Sequence, residues 1–511
     1  MALLLPVLVT GICLFFTYRI YRHLQTLYLA RSKGCLPPRR YPHKDPFLGL
    51  DFFLETGKVF SENRYLPELL ARYKTYGPTF QTNLFGTPSI NTIEPENLQA
   101  VYSSDFRNWG VEPLRLPAQD PFCGRGFITT DGAAWEHSRA LLKPGFNRAN
   151  IVAGLEGLGE ALEKMMNKIP SDGGTVDLQA LFFDLYLDTS TEFLFGESYG
   201  ALSNSSSKES QAFMDAFDHA MFGSGFRIAL GPFKILYRNS KWREACKTTH
   251  AFADRYVQKA LEYRQNVMSG ASQDDTSHFT SRNKPLLYHL ALQTSSPLTL
   301  RNEILQTLMA AQGTTAALLS NVFFLLARHP TVYAKLRQEI LALGDDDEPD
   351  FDRLLHLKYL QNILKETLRL HPIFPQMNRI ALHPTTLPRG GGPHRTAPLY
   401  IPTGTIFDTS AHVLHRQPSI WGPDAEAFNP DRWNDVERET GDRDMRWRYM
   451  PFGAGPRACV GKWKALGEAA FVVVRVVRRY GACESRDGRE WRGRVMLTSR
   501  NLGGCWVGLR V

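Results

Sequence analysis

Apolar residues recur every three to four positions in several long segments of this 511-residue chain, and that spacing predicts helices with one buried face. The six clearest segments are 151–168, 178–195, 213–221, 248–268, 299–328 and 352–370. Shorter runs of strand-forming residues fall within 79–93, 399–408 and 495–511, and they predict strands. Because long helices outnumber short strands, the predicted fold class is mainly α with small β-sheets.

The amino terminus has a different pattern from the rest of the chain. Residues 2–18 contain no charged side chain, and as a helix they would span roughly 25 Å, close to the hydrocarbon thickness of a bilayer. Basic residues follow this run, and no acidic residue precedes Asp45. The positive-inside rule therefore predicts a single-pass signal anchor over residues 1–22, with the body of the chain in the cytosol. A cleaved signal peptide is the alternative, but the basic residues follow the apolar run and no clean cleavage site is present.

Two further regions follow the predicted anchor. Residues 23–46 are basic and contain four prolines, which predicts a stiff hinge. Residues 47–511 are predicted to form one large domain. The chain is 43% hydrophobic and 22% charged, a balance that allows a chain of this length to bury a large core.

Charge and cysteine content narrow the classes of function. The formal net charge is +9, but no recognised nucleic-acid-binding motif accompanies it, so no nucleic-acid partner is predicted. The seven cysteines are dispersed and lack CxxC spacing, which indicates neither a disulfide framework nor a zinc site. A reducing compartment fits this usage best.

Cys459 lies in the most informative loop, Phe452-Gly-Ala-Gly-Pro-Arg457-Ala-Cys459-Val-Gly461. Its glycines allow close approaches that a β-carbon forbids, so the sulfur can lie directly under a flat macrocycle. The N-terminus of the helical segment 462–479 would stabilise a thiolate and lower the pKa of Cys459. Arg457 is placed to meet a haem propionate, and Cys459 to ligate haem iron axially. The alternative is a glycine-rich loop with a buried structural cysteine.

This loop resembles the haem-binding signature of the cytochrome P450 family. The signature reads phenylalanine, two residues, glycine, one residue, arginine, one residue, cysteine, one residue, glycine, and the match is complete. The resemblance extends from about Tyr41 to the carboxyl terminus, and it implies the cytochrome P450 fold with a single haem-thiolate catalytic domain over 47–511. It also implies haem b (iron protoporphyrin IX) as the cofactor, bound by Phe452, Arg457 and Cys459, with Cys459 as the axial iron ligand.

A second family motif, Glu366-Thr-Leu-Arg369, places a carboxylate and a guanidinium on one helix face. The resemblance implies that Arg432, in Phe428-Asn-Pro-Asp-Arg-Trp433, completes a buried structural triad with this pair. Buried charges need partners, so three matching charges support one another. An exposed surface pair is the alternative for Glu366 and Arg369 alone.

Three more residues are cofactor-binding candidates by resemblance. Trp135 and Arg139 fit the family's Trp-x-x-x-Arg helix, which contacts a haem propionate, and an amphipathic surface helix is the alternative. Arg379 falls where the family often supplies a further propionate contact.

The segment 308–316 is similar to the family's distal helix, in which small residues and a threonine form a groove for dioxygen. The resemblance implies that Thr314 and Thr315 are catalytic residues, but Gly313 replaces the acid that normally precedes the threonine. Water positioned by Thr314, Thr315 or Gln312 is one substitute for the missing proton relay. The alternatives are desaturation, rearrangement or dehydration, which depend less on the relay, and a haem-binding protein without turnover.

Other segments resemble the fungal branch of alkane and fatty-acid hydroxylases. They are 35–38, 43–51, 385–392 and 425–433. The resemblance implies a haem-thiolate monooxygenase that inserts one oxygen atom from O2 into a lipophilic, aliphatic or polyketide-like substrate. The expected pocket segments are 107–127, 213–226, 307–314 and 373–377, and the segment 213–226 is also expected to touch membrane lipid.

The resemblance also implies a redox partner and a location. Electrons are expected from NADPH through the flavoprotein NADPH–cytochrome P450 reductase, and the protein is expected in the endoplasmic reticulum membrane. Basic residues near the cysteine loop suit an acidic electron donor, with ordinary solvated surface charge as the alternative. They are Arg443, Arg446, Arg448, Lys462 and Lys464.

Overall fold

A computed structural model describes residues 14, 17 and 21 and the ranges 24–203, 205–270, 284–344, 350–434 and 445–511. Apart from three single positions, the predicted anchor over residues 1–22 lies outside the described residues. Helices make up 58% of the structure and the sheets are small, which confirms the predicted fold class.

The first nine helices with described bounds are α1 (Leu50–Ser61), α2 (Tyr65–Tyr76), α3 (Pro95–Gln99), α4 (Glu112–Cys123), α5 (Gly132–Leu142), α6 (Arg148–Met166), α7 (Leu178–Phe195), α8 (Lys208–Ala229) and α9 (Ser240–Met268). They are followed by α10 (Leu286–Gln293), α11 (Pro297–Ala311), α12 (Thr314–Leu326), α13 (Pro330–Leu341), α14 (Phe351–His356), α15 (Lys358–Leu370), α16 (Ala411–Leu414), α17 (Pro418–Trp421) and α18 (Lys462–Arg479). The strands are β1 (Thr79–Leu84), β2 (Thr87–Thr92), β3 (Trp109–Gly110), β4 (Thr175–Asp177), β5 (Met377–Ala381), β6 (Thr385–Gly391), β7 (Ala397–Ile401), β8 (Ile406–Thr409), β9 (Ala482–Ser485), β10 (Gly493–Val495), β11 (Ser499–Asn501) and β12 (Trp506–Arg510).

The described chain divides into two compact units. The smaller unit contains the described residues up to Lys58 together with Glu68–Gly110 and Met377–Ser410. A five-stranded sheet in the order β1-β2-β8-β5-β3 forms its centre, and β6 and β7 pair separately. Strands β2 and β8 run parallel, while the other neighbours in this sheet are antiparallel.

Part of the proline-rich segment 23–46 is hydrogen-bonded to the smaller unit. The Leu36 amide donates to the carbonyl oxygen of Pro398 and the Tyr41 amide donates to that of Gln81. These backbone hydrogen bonds attach 36–41 to the smaller unit, and the hinge over 23–46 stays a prediction.

The larger unit contains Val59–Pro67, Val111–Gln376 and Ala411–Val511. Its core lies around α12, in which every residue from Thr315 to Leu326 is buried. Helices α7, α15 and α18 pack against α12, and the small sheets β4-β12-β9 and β10-β11 also belong to this unit. The buried apolar faces predicted from periodicity therefore meet around one central helix.

The long segment 299–328, predicted as one helix, is interrupted. It begins at Pro297 behind a Ser296 cap, whose side chain accepts a hydrogen bond from the Thr299 amide, an arrangement typical of helix N-termini. The interruption falls at Gln312 and Gly313, between α11 and α12. Among the described residues, only the stretch Pro297–Leu326 is long and apolar enough to cross a membrane, and most of it is buried in the protein.

Candidate haem site

The loop that carries Cys459 folds back on itself before α18. Gly453 and Gly455 both have φ of +68°, a left-handed conformation that strains residues with a β-carbon. The Cys459 amide then donates a hydrogen bond of 2.9 Å to the carbonyl oxygen of Phe452. These turns hold the cysteine just before Gly461, the residue that precedes α18.

The Cys459 side chain is accessible although protein atoms surround it. It is exposed, yet desolvation is strong enough to raise the pKa of its thiol. The Gly461 amide and the charges of Arg139 and Lys462 act in the opposite direction and lower the pKa. Because burial outweighs them, the lowered pKa expected from the sequence is wrong in this structure.

These features fit an axial iron ligand. A coordinating thiol loses its proton outright, and the nearby amide and cations then stabilise the thiolate. A β-carbon added at Gly461 would lie 3.9 Å from the Cys459 sulfur, so the glycine keeps the space beside the sulfur open. Cysteine-ligated haem supplies the electron density that favours O–O cleavage.

Two guanidinium groups flank the cysteine loop. Arg139 donates to the Ala458 carbonyl oxygen at 2.7 Å, and Arg457 donates to the Asp131 carboxylate at 2.7 Å. The Trp135 ring lies between them, 5.9 Å from the Arg139 guanidinium and 4.5 Å from that of Arg457. The structure thus brings Trp135, Arg139 and Arg457 together beside the loop, where two cations suit the carboxylates of haem. Their binding role stays a prediction.

Arg379 belongs to the smaller unit. It lies on β5 and is 7% exposed, with its guanidinium 4.7 Å from the Tyr102 ring. One terminal nitrogen donates to the Asn378 carbonyl oxygen at 2.7 Å. Within the described part of the chain, its buried Nε has no hydrogen-bond partner. A buried guanidinium with a spare N–H fits a carboxylate ligand such as a propionate.

The break between α11 and α12 opens an otherwise buried helix. Residues 310–314 are partly exposed, whereas 302–309 and 315–326 are buried. The Thr314 hydroxyl donates to the Ala310 carbonyl oxygen at 3.1 Å, which leaves its oxygen able to accept a hydrogen bond. Thr315 is buried. The geometry therefore favours Thr314 over Thr315 as the residue that faces a bound molecule, and both catalytic roles stay predictions.

The buried charges predicted as a triad do meet. Glu366 and Arg369 are both fully buried, and they form a two-pronged ion pair with distances of 2.8 and 2.9 Å. Arg432 Nε approaches Glu366 Oε1 at 3.2 Å, and its other nitrogens bind the exposed carboxylate of Asp424. The remaining donors of Arg369 reach three backbone carbonyl oxygens, so the buried cation is satisfied.

Two residues that the sequence analysis did not single out complete this cluster. Trp433 Nε1 donates to the second carboxylate oxygen of Glu366 at 3.0 Å. His415 accepts a hydrogen bond from the Met450 amide at 2.9 Å, while its own carbonyl oxygen accepts from Arg369 at 2.8 Å. Burial lowers the pKa of His415 to about 3, so the neutral ring remains an acceptor at neutral pH. His415 thus connects the triad to the segment that enters the cysteine loop.

An accessible cysteine sulfur beside two cations, together with a core helix that opens at a threonine-containing break, is the arrangement expected of a haem-thiolate enzyme. Comparison with known proteins agrees. The family description "Cytochrome P450" matches residues 44–491. The chain therefore belongs to the cytochrome P450 family, whose members are haem-thiolate monooxygenases.

Named relatives cover most of the chain. The cytochrome P450 monooxygenase himC of Aspergillus japonicus is 36% identical, over 94% of this chain and 84% of its own length. The cytochrome P450 monooxygenase FPY7 of Fusarium mangiferae is 36% identical, over 96% and 94%. Cytochrome P450 52A12 of Debaryomyces hansenii is 35% identical, over 92% and 91%. This chain is therefore similar to several fungal members of the family.

Proposed function

We propose that this monooxygenase hydroxylates a long aliphatic or lipid-like substrate at the endoplasmic reticulum membrane, with electrons that a flavoprotein reductase takes from NADPH. The observation that carries the proposal is the partly exposed stretch 310–314 in an otherwise buried helix. Around the break it presents the small residues Ala310, Ala311 and Gly313 together with the Thr314 hydroxyl. Such a surface admits dioxygen and an apolar chain while it offers one hydrogen-bonding group.

The protein residues have distinct roles in this proposal. Cys459 would hold the iron of a bound haem, and Arg139 and Arg457 would bind its propionates. Arg379, in the smaller unit, stays a predicted propionate contact. Thr314 accepts or donates a hydrogen bond where charge develops on oxygen, the position at which a fixed polar group accelerates a reaction most. The contacts described above and the family to which the chain belongs support these roles.

The redox partner is proposed to bind near the cysteine loop. Arg446 is exposed, and Lys462 lies 4.7 Å from the ring of Trp463, which is itself 54% exposed. Lys464, by contrast, forms an ion pair with Glu468 inside its own helix. Arg443 lies outside the described residues. A cationic surface with an exposed aromatic ring suits an acidic protein partner.

Incubation with NADPH, reductase and a long-chain alkane or fatty acid under ¹⁸O₂ tests the proposed function. We expect one labelled oxygen atom in the product, because a monooxygenase divides O2 between substrate and water. Thr314→Ala is expected to consume NADPH but to divert it to peroxide, since the hydrogen bond that stabilises the developing charge is lost. Mass spectrometry of the product and a peroxide assay measure both effects.

The same assay has a clear contrary result. Conversion of the true substrate without oxygen and without reductant would contradict this proposal. The enzyme would then catalyse a rearrangement or a dehydration instead. Loss of NADPH oxidation together with loss of haem in Thr314→Ala would show a folding defect, so the haem content of each variant is measured first.

Membrane contact is proposed at a second place besides the predicted anchor. Five large apolar side chains between positions 222 and 236 are exposed, among them Ile235 at 75% and Leu236 at 69%. Exposed Arg238 and Lys241 follow them. An exposed apolar stretch beside basic residues is typical of a surface that lies in the headgroup region of a bilayer.

Deletion of residues 1–30 is expected to release only part of the protein from membranes, because the apolar stretch retains the rest. Adding Ile235→Glu and Leu236→Glu should complete the release, since charged side chains are unfavourable in lipid. Sedimentation with membranes in neutral buffer at physiological ionic strength, without an alkaline wash, measures the fraction released. Leu341→Glu in the same deletion is the matched control, because Leu341 is an exposed apolar residue on α13. Full retention of the deletion variant with both substitutions in the pellet would contradict this proposal.

A further inference from the structure

Two arginines lie directly opposite each other on the two-stranded sheet β10-β11. Arg494 pairs with Arg500 in the antiparallel register of this sheet, and side chains that are directly opposite project from the same face. Like charges in such positions repel each other and destabilise the pair of strands. An anion bound to both guanidinium groups would replace this repulsion with attraction.

The other face of the same hairpin is packed into the larger unit. Ser499 and Asn501 on β11 are buried, and the Asn501 carbonyl oxygen accepts a hydrogen bond of 3.0 Å from the side chain of Gln179 on α7. Because successive side chains of a strand point to opposite faces, Arg494 and Arg500 lie on the face opposite to the buried side chains. The packed face therefore holds the two arginines side by side.

The charges of this arginine pair are not neutralised by a direct contact. Among the residues that the structure describes, neither Arg494 nor Arg500 forms an ion pair or donates a side-chain hydrogen bond. Desolvation, followed by the charge of Arg494, lowers the pKa of Arg500, and the attraction of Asp218 on α8 offsets only part of this effect. The fold thus keeps two cations together whose N–H groups are available to a ligand.

The arginine pair lies near the break between α11 and α12. The guanidinium of Arg500, which is half-buried, lies 5.0 Å from the centre of the Phe183 ring. A β-carbon added at Gly313 would lie 3.0 Å from Cε1 of the same ring. One aromatic ring therefore connects Arg500 to the partly exposed stretch 310–314. A guanidinium stacked on a ring still presents a planar fork of donors that matches a carboxylate.

Exposed apolar side chains adjoin the arginines at the turn of the hairpin. Met496 and Leu497 follow β10 and are each 44% exposed, and the Met496 amide closes the turn with a hydrogen bond of 3.0 Å to the Thr498 carbonyl oxygen. Cations beside exposed apolar side chains match a molecule with an acidic head and an aliphatic chain. An alkane has no group for the cations, and a small inorganic anion leaves the apolar side chains in water.

We propose that Arg494 and Arg500 bind the carboxylate of a long-chain acid, so that an aliphatic acid rather than an alkane is the substrate of this enzyme. Arg500 supplies a two-pronged donor held in place by the ring on which it stacks, and Arg494 supplies a second cation. The aliphatic chain lies along Met496 and Leu497. This inference rests on the proposed function, because it names the head group of the molecule that is oxidised.

Titration of the full-length, haem-containing protein with dodecanoate and with methyl dodecanoate tests the proposal. The two probes share one aliphatic chain and differ in the carboxylate, and the shift of haem absorption measures their binding. We expect Arg500→Met to raise the Kd for dodecanoate about ten- to a hundredfold, the range for losing a hydrogen bond to a charged group. The Kd for methyl dodecanoate should not change. Arg500→Lys should restore part of the affinity, because the charge returns without the two-pronged geometry.

Two further variants make the measurement specific. Arg494→Met should also weaken dodecanoate binding, and it tests the proposal even if Arg500→Met folds poorly, because Arg494 is exposed. Arg475→Met is the matched control. Arg475 is stacked on the Phe471 ring at 5.4 Å but already forms an ion pair with Glu163, so its removal should leave dodecanoate binding as in wild type. The haem content of every variant is measured first.

Several results would overturn the proposal. Wild type might as well bind the ester as the acid: equal affinity for the two probes, or equal weakening of both in the arginine variants, would leave the arginines with a packing role only. Unchanged dodecanoate binding in both Arg494→Met and Arg500→Met would also overturn it. If these variants instead lose binding to phosphatidylserine vesicles, the arginines recognise lipid head groups.

Turnover under ¹⁸O₂ distinguishes failure of this inference from failure of the proposed function. If dodecanoate binds through the arginines but yields no labelled product, the proposed oxidation fails and the carboxylate site stands. If wild type and both arginine variants hydroxylate dodecanoate with the same kcat/KM, the proposed function stands and the carboxylate site is wrong.

Discussion

Cys459→Ser is expected to abolish the red-shifted band that the reduced, carbon monoxide-bound protein owes to thiolate ligation. A serine hydroxyl is a weak, high-pKa donor, and the loop geometry offers the iron no other sulfur. Cys459 is accessible in a loop whose Gly461 amide and neighbouring cations stabilise negative charge. The difference spectrum before and after substitution measures the loss.

Cys35→Ser is the matched control for this experiment. Cys35 is buried in the smaller unit, and its thiol contacts the Lys33 carbonyl oxygen, so the haem spectrum should not change. A thiolate band of wild-type intensity in Cys459→Ser would contradict the assignment of the ligand. The spectra of the variants and of wild type are compared at equal concentrations of folded protein. Circular dichroism measures that concentration, so a general loss of stability is distinguished from loss of the iron ligand.

Glu366→Ala is expected to destabilise the fold by about 3 to 5 kcal/mol, the typical cost of removing one partner from a buried ion pair. Glu366 and Arg369 are both fully buried. Removing the carboxylate leaves Arg369 without its counter-charge and takes away the acceptor for Trp433. Most of the variant should therefore fail to accumulate as folded, haem-containing protein, which urea unfolding and haem content together measure.

Asp424→Ala provides the comparison that makes this prediction specific. Asp424 binds the same Arg432 but its side chain is 48% exposed, and exposed ion pairs contribute only about 0 to 1 kcal/mol. Both variants remove one carboxylate that binds Arg432. The difference between their free energies of unfolding therefore measures the effect of burying the carboxylate. Wild-type stability in Glu366→Ala would show that the cluster does not hold the fold together.

The local chemistry of the site was predictable because it depends on residues close together in sequence. The cysteine loop combines two left-handed glycines with a cysteine just before a helix. The distal threonine Thr314 follows a run of small residues in an apolar segment, although periodicity predicted one continuous helix there and the structure begins a new helix at Thr314. Periodicity likewise predicted α7 over 178–195 without error, since its buried face repeats regularly.

Other features depended on distant contacts. The pKa of Cys459 is raised rather than lowered because the surrounding fold removes solvent from the thiol, and sequence spacing does not report that burial. Leu36 and Tyr41 donate backbone hydrogen bonds to Pro398 and Gln81, contacts that the proline-rich pattern of their segment does not predict. His415 joins the triad to the cysteine loop because its carbonyl oxygen accepts from Arg369 and its ring nitrogen accepts from the Met450 amide.

The sequence by itself therefore determined the mainly helical class, through the spacing of its apolar residues. It also determined the cysteine loop, the distal threonine and the members of the charged triad, because each belongs to a motif of residues a few positions apart. Only the tertiary structure decided how the buried charges are satisfied. Trp433 donates to Glu366, and three backbone carbonyl oxygens accept from Arg369. These partners come from segments distant in the chain, since packing determines which groups the fold brings into the same space.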